Sequence, residues 1–325
     1  MLAKWIVLAG QAVVSLFVIL LAAPLWCLPW RMALTLGRYY GYVGYLLYPA
    51  GRRAGQINFR RIYGAAVSRA EARRRTLCVF GSQGQALAEG LQFSRRFSSG
   101  PPGWDRMFDI EDPELHQRMV SDTRPIVMVT AHLGSWEMAL MAAGVRLGKG
   151  GALMRRVDNP FVERLVRWTR VAPGPLLDKQ GGAAAAAAEL EQGGIVALLL
   201  DENAGYKGTW VNFLGRQAST HKTAALLSAR TASPILVGAA VRRPGGRYLY
   251  RLACIEPASS PESITAVTQH ITTILERWIR EDPLQWRWIH WRWKTRPDGT
   301  EEAYGSADLR ACFAPAAGSH ARTEA

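Results

Sequence analysis

Cysteine is scarce in this chain, with four among 325 residues, at positions 27, 78, 254 and 312, and no Cys-x-x-Cys pair. That spacing argues against a disulfide framework or a cysteine-based zinc site, and it fits a reducing compartment. The sequence also lacks a metal-ligand motif and a phosphate-binding glycine loop. We therefore expect no metal and no nucleotide cofactor.

Acidic residues are also in short supply. The chain has 26 Asp and Glu against 40 Lys and Arg, which gives a formal net charge of +14 at pH 7. A surface this basic predicts an anionic partner, which can be nucleic acid, anionic lipid or an acidic protein. Because 49% of the residues are hydrophobic and 20% are charged, the chain can bury a core, and global disorder is excluded.

Charge is absent altogether from Trp5 to Trp30. An apolar run of about 26 residues is long enough to cross the hydrocarbon core of a membrane as a helix. A cleaved signal peptide is the rival interpretation, since Lys4 precedes the run. The length of the run argues against it, and so does Pro24, which directly follows the small residues of the candidate cleavage site. We expect residues 1–30 to be an uncleaved membrane anchor whose helix breaks near its far end, at Pro24 or Pro29.

The flanks of this run differ in charge and in aromatic content. Lys4 alone precedes it, whereas arginines follow it at positions 31, 38, 52, 53, 60 and 61. The positive-inside tendency then places the bulk of the protein in the cytoplasm. Five tyrosines lie among these arginines between positions 39 and 48, a mixture typical of a segment at the level of lipid headgroups, with a solvated basic loop as the alternative.

Hydrophobic patterning along the rest of the chain predicts the fold class. The patterns indicate a long helix at 62–98, a loop with one short strand at 100–122, and then alternating strands and helices. Predicted strands are 126–131, 151–157, one near 176, 195–200, 234–243 and 247–255; predicted helices are 136–147, 160–170, 181–192, 220–232 and 261–281, with a loop at 201–219. Near-continuous apolar strands such as Ile195–Leu200 predict an α/β fold, a mostly parallel central sheet with helices on both faces. We expect one domain over 31–300 and a disordered tail over 301–325.

A histidine stands at the end of the first central strand. His132 follows the apolar run 126–129, Ser135 is positioned as a helix N-cap, and Glu137 lies in the first helical turn. The carboxyl ends of strands are where open α/β sheets carry their chemistry. A carboxylate that accepts from one imidazole nitrogen leaves the other as a base toward a hydroxyl. The alternative is a structural histidine near an acid.

Two further groups of polar residues follow predicted strands. Arg155 and Arg156 lie at the end of the predicted strand 151–157, where an arginine can stabilise an oxyanion or hold a phosphate. A solvated pair of arginines is the alternative. Asn159, before a proline, is placed to cap the next helix. Asp201 and Glu202 follow the buried strand 195–200; a buried acid there needs a partner, or else it caps and orders the loop.

Two aromatic stretches complete the candidate features. Phe213 and Gly215 belong to an apolar loop, which can line a pocket for an apolar substrate chain or serve as plain core. Trp286–Lys294 alternates tryptophan with cations. Such a pattern fits single-stranded nucleic acid or a membrane interface. Since an anchor is already predicted, we favour the membrane and expect no nucleic-acid partner.

Taken in order, these residues resemble a known family. The set comprises His132-x-x-x-x-Glu137, Arg155-x-x-Asp158-Asn159-Pro160, Asp201-Glu202, Phe213-Leu214-Gly215 and Trp288-x-His290-x-Arg292-Trp293-Lys294. It is similar to the lipid A late acyltransferases, the lauroyl- and myristoyl-transferases of Gram-negative bacteria, from the anchor to about residue 297. The histidine–acid element alone is shared with glycerolipid acyltransferases, whereas the ordered set is far more specific.

The resemblance implies an activity, a location and partners. It implies an acyltransferase of lipopolysaccharide biosynthesis at the bacterial inner membrane, with its catalytic domain on the cytoplasmic side. His132 would act as general base on a hydroxyl of an anionic glycolipid acceptor, the lipid A precursor, and Glu137 would orient the imidazole. The donor would be an acyl thioester on acyl carrier protein or coenzyme A, with no cofactor. Arg155 matches the family's oxyanion or phosphate arginine, with Arg156 one residue away.

The chain also departs from the family pattern. The family usually has Asp-Gln where this chain has Asp201-Glu202, and Phe-Phe-Gly where this chain has Phe213-Leu214-Gly215. The first change removes a donor and adds a charge, so the acceptor remains open: a glycerolipid, an aminolipid or a mannolipid is the alternative. A non-catalytic protein that binds membranes or nucleic acid is the alternative from a different class.

Overall fold

The computed structural model describes residues 2–97, 107–139, 151–154, 159, 163–164, 176–178, 182–257 and 263–314. Its helices are α1 (Leu2–Cys27), α2 (Trp30–Leu47), α3 (Pro49–Tyr63), α4 (Arg69–Phe97), α5 (Pro113–Ser121), α6 (Gly182–Glu191), α7 (Thr223–Thr231), α8 (Ser263–Glu281) and α9 (Ser306–Cys312). Its strands are β1 (Phe108–Ile110), β2 (Ile126–Thr130), β3 (Gly151–Met154), β4 (Leu176–Asp178), β5 (Ile195–Leu199), β6 (Thr209–Phe213), β7 (Arg216–Thr220), β8 (Ile235–Arg243) and β9 (Arg247–Ile255).

A seven-stranded sheet forms the centre, in the order β1-β9-β8-β2-β5-β3-β4. All its pairs are parallel except β8 with β9. Strand β2 is buried along its whole length, with Val127 and Val129 in one apolar cluster and Ile126 and Met128 in the other. Both faces of the sheet are therefore covered, as near-continuous apolar strands require. The predicted α/β class with a mostly parallel central sheet is confirmed.

The amino-terminal segment folds as two helices. Helix α1 continues through Pro24 and ends at Cys27, and α2 begins at Trp30, directly after Pro29. The predicted break thus lies at Pro29, whose ring suits the residue before a helix. Within the described part of the chain, no helix has both the length and the apolarity that a membrane crossing requires. The predicted anchor at residues 1–30 is not confirmed.

Four predictions of local structure were wrong. The helix predicted at 62–98 begins later than expected, because α3 ends at Tyr63 and α4 spans Arg69–Phe97. The predicted loop 201–219 contains the antiparallel hairpin β6–β7. The region before β2 holds α5, which begins at Pro113 after the N-cap Asp112. Residues 306–312 of the predicted disordered tail form α9, whose last turn receives a hydrogen bond from Arg60 Nε to the Cys312 carbonyl oxygen.

Candidate active site

Two residues that follow neighbouring parallel strands meet at the carboxyl edge of the sheet. His132 lies two residues past β2 and Asp201 two residues past β5, and these strands pair with Thr130 opposite Leu199. His132 Nδ1 and Asp201 Oδ1 are 2.9 Å apart. The backbone N–H of His132 donates to Asp201 Oδ2, also at 2.9 Å. One carboxylate therefore holds both the backbone and the ring of the histidine.

Asp201 is buried, and both of its carboxylate oxygens have hydrogen-bond partners. The indole Nε1 of Trp286 donates to Oδ2 at 2.8 Å, beside the bond from the backbone of His132. Burial alone would raise the pKa of the Asp201 carboxyl, but the His132 imidazole, its two hydrogen bonds and the Trp286 indole hold that pKa well below its ordinary value. The carboxylate is consequently ionised at neutral pH, and Nδ1 of His132 carries a proton toward it.

The turn that carries His132 requires a glycine at its centre. Gly134 has φ +62°, and a Cβ at that position would lie 2.2 Å from the carbonyl oxygen of Ala240 on β8. Its backbone N–H donates to the Gln285 carbonyl oxygen at 3.1 Å, and the Arg287 N–H donates to the His132 carbonyl oxygen at 3.1 Å. Two backbone bonds thus tie the turn to a segment about 150 residues later in the chain.

Helical structure follows this turn at residues 136–139. Ser135 is positioned as the N-cap, because its carbonyl oxygen accepts from the Ala139 N–H at 3.0 Å, yet its buried Oγ has no hydrogen-bond partner among the described residues. The carboxylate of Glu137 lies against Gly90 of α4, where an added Cβ would come within 1.6 Å of its Oε2. In this structure the residue that contacts Nδ1 of His132 is Asp201, and the role that the resemblance gives to Glu137 stays a prediction.

The second ring nitrogen of His132 faces Glu202. His132 Nε2 and Glu202 Oε1 are 4.0 Å apart, and the same oxygen accepts from Arg287 Nη1 at 2.9 Å. His290 Nδ1 lies 3.8 Å from that carboxylate, and burial lowers the pKa of His290, with Glu202 opposing and Arg287 reinforcing the shift. The N–H of Asn203 donates to His290 Nε2 at 3.3 Å, as a neutral imidazole allows. Nε2 of His132 thus opens on a polar, partly exposed rim.

Comparison with known proteins identifies the family. The model of the bacterial lipid A biosynthesis acyltransferase family matches residues 3–295. The chain belongs to that family. It is also 26% identical, over 263 residues, to the lipid A biosynthesis lauroyltransferase of Escherichia coli (strain K12), an alignment that covers 78% of this chain and 83% of the relative. The resemblance found in the motifs is confirmed, and an acyltransferase activity follows from it.

In this acyltransferase the tryptophan-rich stretch after α8 belongs to the core. Trp286, Trp288 and Trp293 are at most 1% exposed, and so is Arg292, whose pKa burial lowers to about 10. The fourth tryptophan of the stretch, Trp291, is 40% exposed. The prediction that the stretch lies at a membrane interface was wrong for the buried residues. The stretch instead supplies aromatic packing, and Trp286, Trp288 and Arg292 donate hydrogen bonds to acceptors inside the protein.

Phe213 and Gly215 lie in the hairpin beside these tryptophans. Phe213 stacks on Trp293, with ring centroids 5.9 Å apart, and meets Trp286 edge-on at 5.4 Å. Leu214 and Gly215 form the two-residue turn between β6 and β7, with φ +54° and +80°, as a type I′ hairpin requires. Phe213 therefore supports the tryptophan that binds Asp201, and Gly215 shapes a turn. A substrate-binding role for either stays a prediction.

The remaining predicted site residues lie elsewhere. Arg155 and Arg156 fall outside the described residues. Asn159 contacts α1, because its Oδ1 accepts from Ser15 Oγ at 3.2 Å and its Nδ2 donates to the Gln11 carbonyl oxygen at 3.3 Å. Its own carbonyl oxygen accepts from the Glu163 N–H at 2.9 Å, as expected at the start of a helix. The structure thus brings together His132, Asp201 and Glu202, and adds Trp286, Arg287 and His290, which the sequence did not single out as site residues.

Proposed function

We propose that this protein transfers a fatty acyl chain from an acyl thioester to a hydroxyl of a lipid A precursor, with His132 as general base. One observation carries the proposal: the 2.9 Å contact between His132 Nδ1 and the buried Asp201 carboxylate. That contact holds the tautomer with the proton on Nδ1. The lone pair on Nε2 is then free to accept a proton from a hydroxyl.

The reaction needs only the thioester, the acceptor hydroxyl and the pair formed by His132 and Asp201 to account for every bond and proton. Nε2 of His132 accepts the proton of the acceptor hydroxyl as the hydroxyl oxygen attacks the thioester carbonyl carbon. The carbon–sulfur bond breaks, and the departing thiolate takes the proton back from the imidazolium. Asp201 stays ionised throughout and stabilises the transient cation on the ring. By the resemblance, Arg155 would stabilise the oxyanion.

Charge supports an anionic donor and an anionic acceptor. The chain carries a net charge of +14; acyl carrier protein is acidic, and a lipid A precursor bears phosphates. Opposite charges raise the rate at which such partners meet. By the resemblance, we propose acyl carrier protein as the physiological carrier of the thioester.

A membrane location belongs to the same proposal. Leu16 and Leu20 of α1 are 60% and 62% exposed, and arginines follow the uncharged run. We assign α1 as the anchor and place the catalytic domain on the cytoplasmic side of the inner membrane. Extraction of membranes at alkaline pH should leave the full chain in the pellet, and a fluorescent protein fused after residue 325 should fold and fluoresce. Complete extraction would contradict the assignment of α1 as an anchor. A non-fluorescent fusion, together with activity of a periplasm-dependent phosphatase fused at the same position, would contradict the cytoplasmic location.

The central test is transfer from a radiolabelled acyl thioester to a lipid A precursor by the full chain. His132→Ala should abolish transfer, whereas His270→Ala is the matched control, because His270 is an exposed histidine on α8. Unchanged transfer by the His132 variant would refute the proposed base. Offering acyl carrier protein and coenzyme A thioesters at equal concentration decides the donor.

The acceptor is decided in cells. Mass spectra of lipid A from strains with and without the gene should differ by one acyl chain. An unchanged acyl count, together with a changed glycerolipid or aminolipid profile, would refute lipid A as the acceptor without contradicting the role of His132 as general base.

A further inference from the structure

A cavity lies between α2, α4 and the turn that joins β8 to β9. Its volume is about 570 Å³. Five of its lining residues are arginines, and the described lining contains no aspartate or glutamate: Arg31, Arg38, Arg242, Arg243 and Arg247. The lining includes none of His132, Asp201 and Glu202. The cavity is therefore a cationic site separate from the one that holds the imidazole.

Three of the five arginines are neutralised by carboxylates. The ion pairs are Arg242 with the fully buried Glu89, Arg243 with Asp282, and Arg247 with Asp109. Arg31 and Arg38, both on α2, have no carboxylate partner within the described chain. Arg38 reaches only the amide oxygen of Gln85, at 3.5 Å, and the guanidinium of Arg31 lies 3.9 Å from the Cβ position of Gly245. Two full positive charges thus face the cavity unopposed.

Helix α2 places this charge beside an apolar surface. Arg31, Thr35, Arg38 and Tyr42 all line the cavity, and their spacing of three or four residues puts them on one stripe of the helix. The neighbouring stripe is apolar and exposed: Met32 is 55% exposed, Tyr39 59%, Val43 51% and Leu46 68%. A ligand with a phosphate at one end and hydrocarbon at the other would satisfy both stripes.

We propose that this cavity binds the phosphate of an anionic lipid headgroup, with Arg31 and Arg38 as the binding cations and the acyl chains along the apolar stripe of α2. Guanidinium groups suit phosphate oxygens because they donate in a planar fork. The hydroxyl of Tyr42 belongs to the same wall and is a further donor, whereas the Thr35 hydroxyl donates to the Arg31 carbonyl oxygen at 2.9 Å.

The cavity also touches the turn that carries His132. Arg242 donates to the Gly134 carbonyl oxygen at 2.9 Å, and Gln285, another lining residue, accepts from the Gly134 N–H. A bound phosphate would therefore lie next to the groups that hold the catalytic turn. Binding itself requires no acyl transfer, so the proposal stands or falls independently of the proposed function.

The test measures lipid binding by the full chain in neutral detergent micelles. Phosphatidylglycerol is titrated into the micelles, and the apparent Kd is read from the rise in thermal unfolding temperature, since a ligand that binds only the folded state stabilises it. The variant is Arg31→Gln with Arg38→Gln. The control, Arg69→Gln with Arg73→Gln, removes the same charge from two exposed arginines of α4 that do not line the cavity.

We expect substitution of the cavity pair to raise the apparent Kd about tenfold or more, because each arginine near a lipid surface contributes to the attraction of an anionic headgroup. Substitution of the control pair should raise it less than about threefold. Diacylglycerol with the same chains should bind neither protein. Equal loss in both pairs, no loss in either, or equal binding of diacylglycerol would overturn the proposal. Glycerol phosphate that binds as tightly as the lipid would assign the site to a soluble phosphate and overturn the lipid as its source.

Discussion

Asp201→Asn is the substitution that separates the structure of the site from its chemistry. Asp201 Oδ2 accepts two N–H donors, the backbone of His132 at 2.9 Å and the indole of Trp286 at 2.8 Å, while Oδ1 faces only the imidazole. An asparagine keeps both of the first bonds if its carbonyl oxygen takes the place of Oδ2. Its amide NH₂ then takes the place of Oδ1 and faces Nδ1 of His132.

Two N–H groups cannot share a hydrogen bond, so Nδ1 has to become an acceptor. The proton then resides on Nε2, and the ring no longer has a lone pair where the hydroxyl is expected. A wrong tautomer of this kind lowers kcat by about 10³- to 10⁴-fold in a histidine–carboxylate enzyme. Stability should fall by only about 2 kcal/mol, because two bonds to a charged oxygen become bonds to a neutral one.

The assay is kcat for transfer from an acyl thioester, measured together with urea unfolding for each variant. Asp201→Ala provides the contrast, since it leaves two buried donors without an acceptor and should lower both activity and stability. Glu137→Gln is the matched carboxylate-to-amide control. If Asp201→Asn kept more than a tenth of kcat while Glu137→Gln lost it, the imidazole partner in solution would be Glu137 and the reasoning would be refuted.

Three further outcomes are expected. Gly134→Ala should destabilise the fold by about 3 kcal/mol in urea unfolding, because the residue has φ +62° and its Cβ would lie 2.2 Å from the Ala240 oxygen; a loss below 1 kcal/mol would mean that the turn relaxes. Trp286→Phe should cost about 2 kcal/mol through the lost bond to Asp201 and should lower kcat less than Asp201→Asn does; a larger kcat effect would contradict that order. The pKa of Asp201 is lowered in the folded state, so the ionised carboxylate stabilises the fold fully above the unfolded pKa near 3.8, and this stabilisation is lost as pH falls. The difference in unfolding free energy between wild type and Asp201→Asn should therefore shrink below about pH 4. A difference that stays constant with pH would count against the ionised carboxylate.

Residue patterns singled out His132 and Asp201 separately but did not pair them. His132 and Asp201 each follow a buried strand, and parallel strands end at the same edge of a sheet. Which strands are neighbours depends on the order β8-β2-β5-β3, and no local pattern encodes that order. Glu137 was paired with the histidine because the two are close in sequence, whereas the partner in the structure is 69 residues away.

Local signals misled where tertiary packing overrides them. The β6–β7 hairpin turns through Leu214, a residue that rarely takes a positive φ, so the usual Asn-Gly or Asp-Gly signal is absent. Alternating tryptophan and arginine is typical of interfaces, yet the same composition serves a core here, where two of the buried indoles find acceptors. Trp286 donates to Asp201, and Trp288 donates to the Pro283 carbonyl oxygen at 2.6 Å.

The tautomer of His132 depends on contacts that are distant in sequence. Asp201 can be buried and ionised only while the N–H of His132, the imidazole and the Trp286 indole surround it, and these donors come from segments 69 and 85 residues away. Without that set, burial would favour the protonated acid, which cannot hold the Nδ1 tautomer. The segment that contains Trp286 and Arg287 also forms the backbone bond to the His132 carbonyl oxygen. The segment that packs against the edge of the sheet therefore belongs to the core and also fixes the proton of His132 on Nδ1.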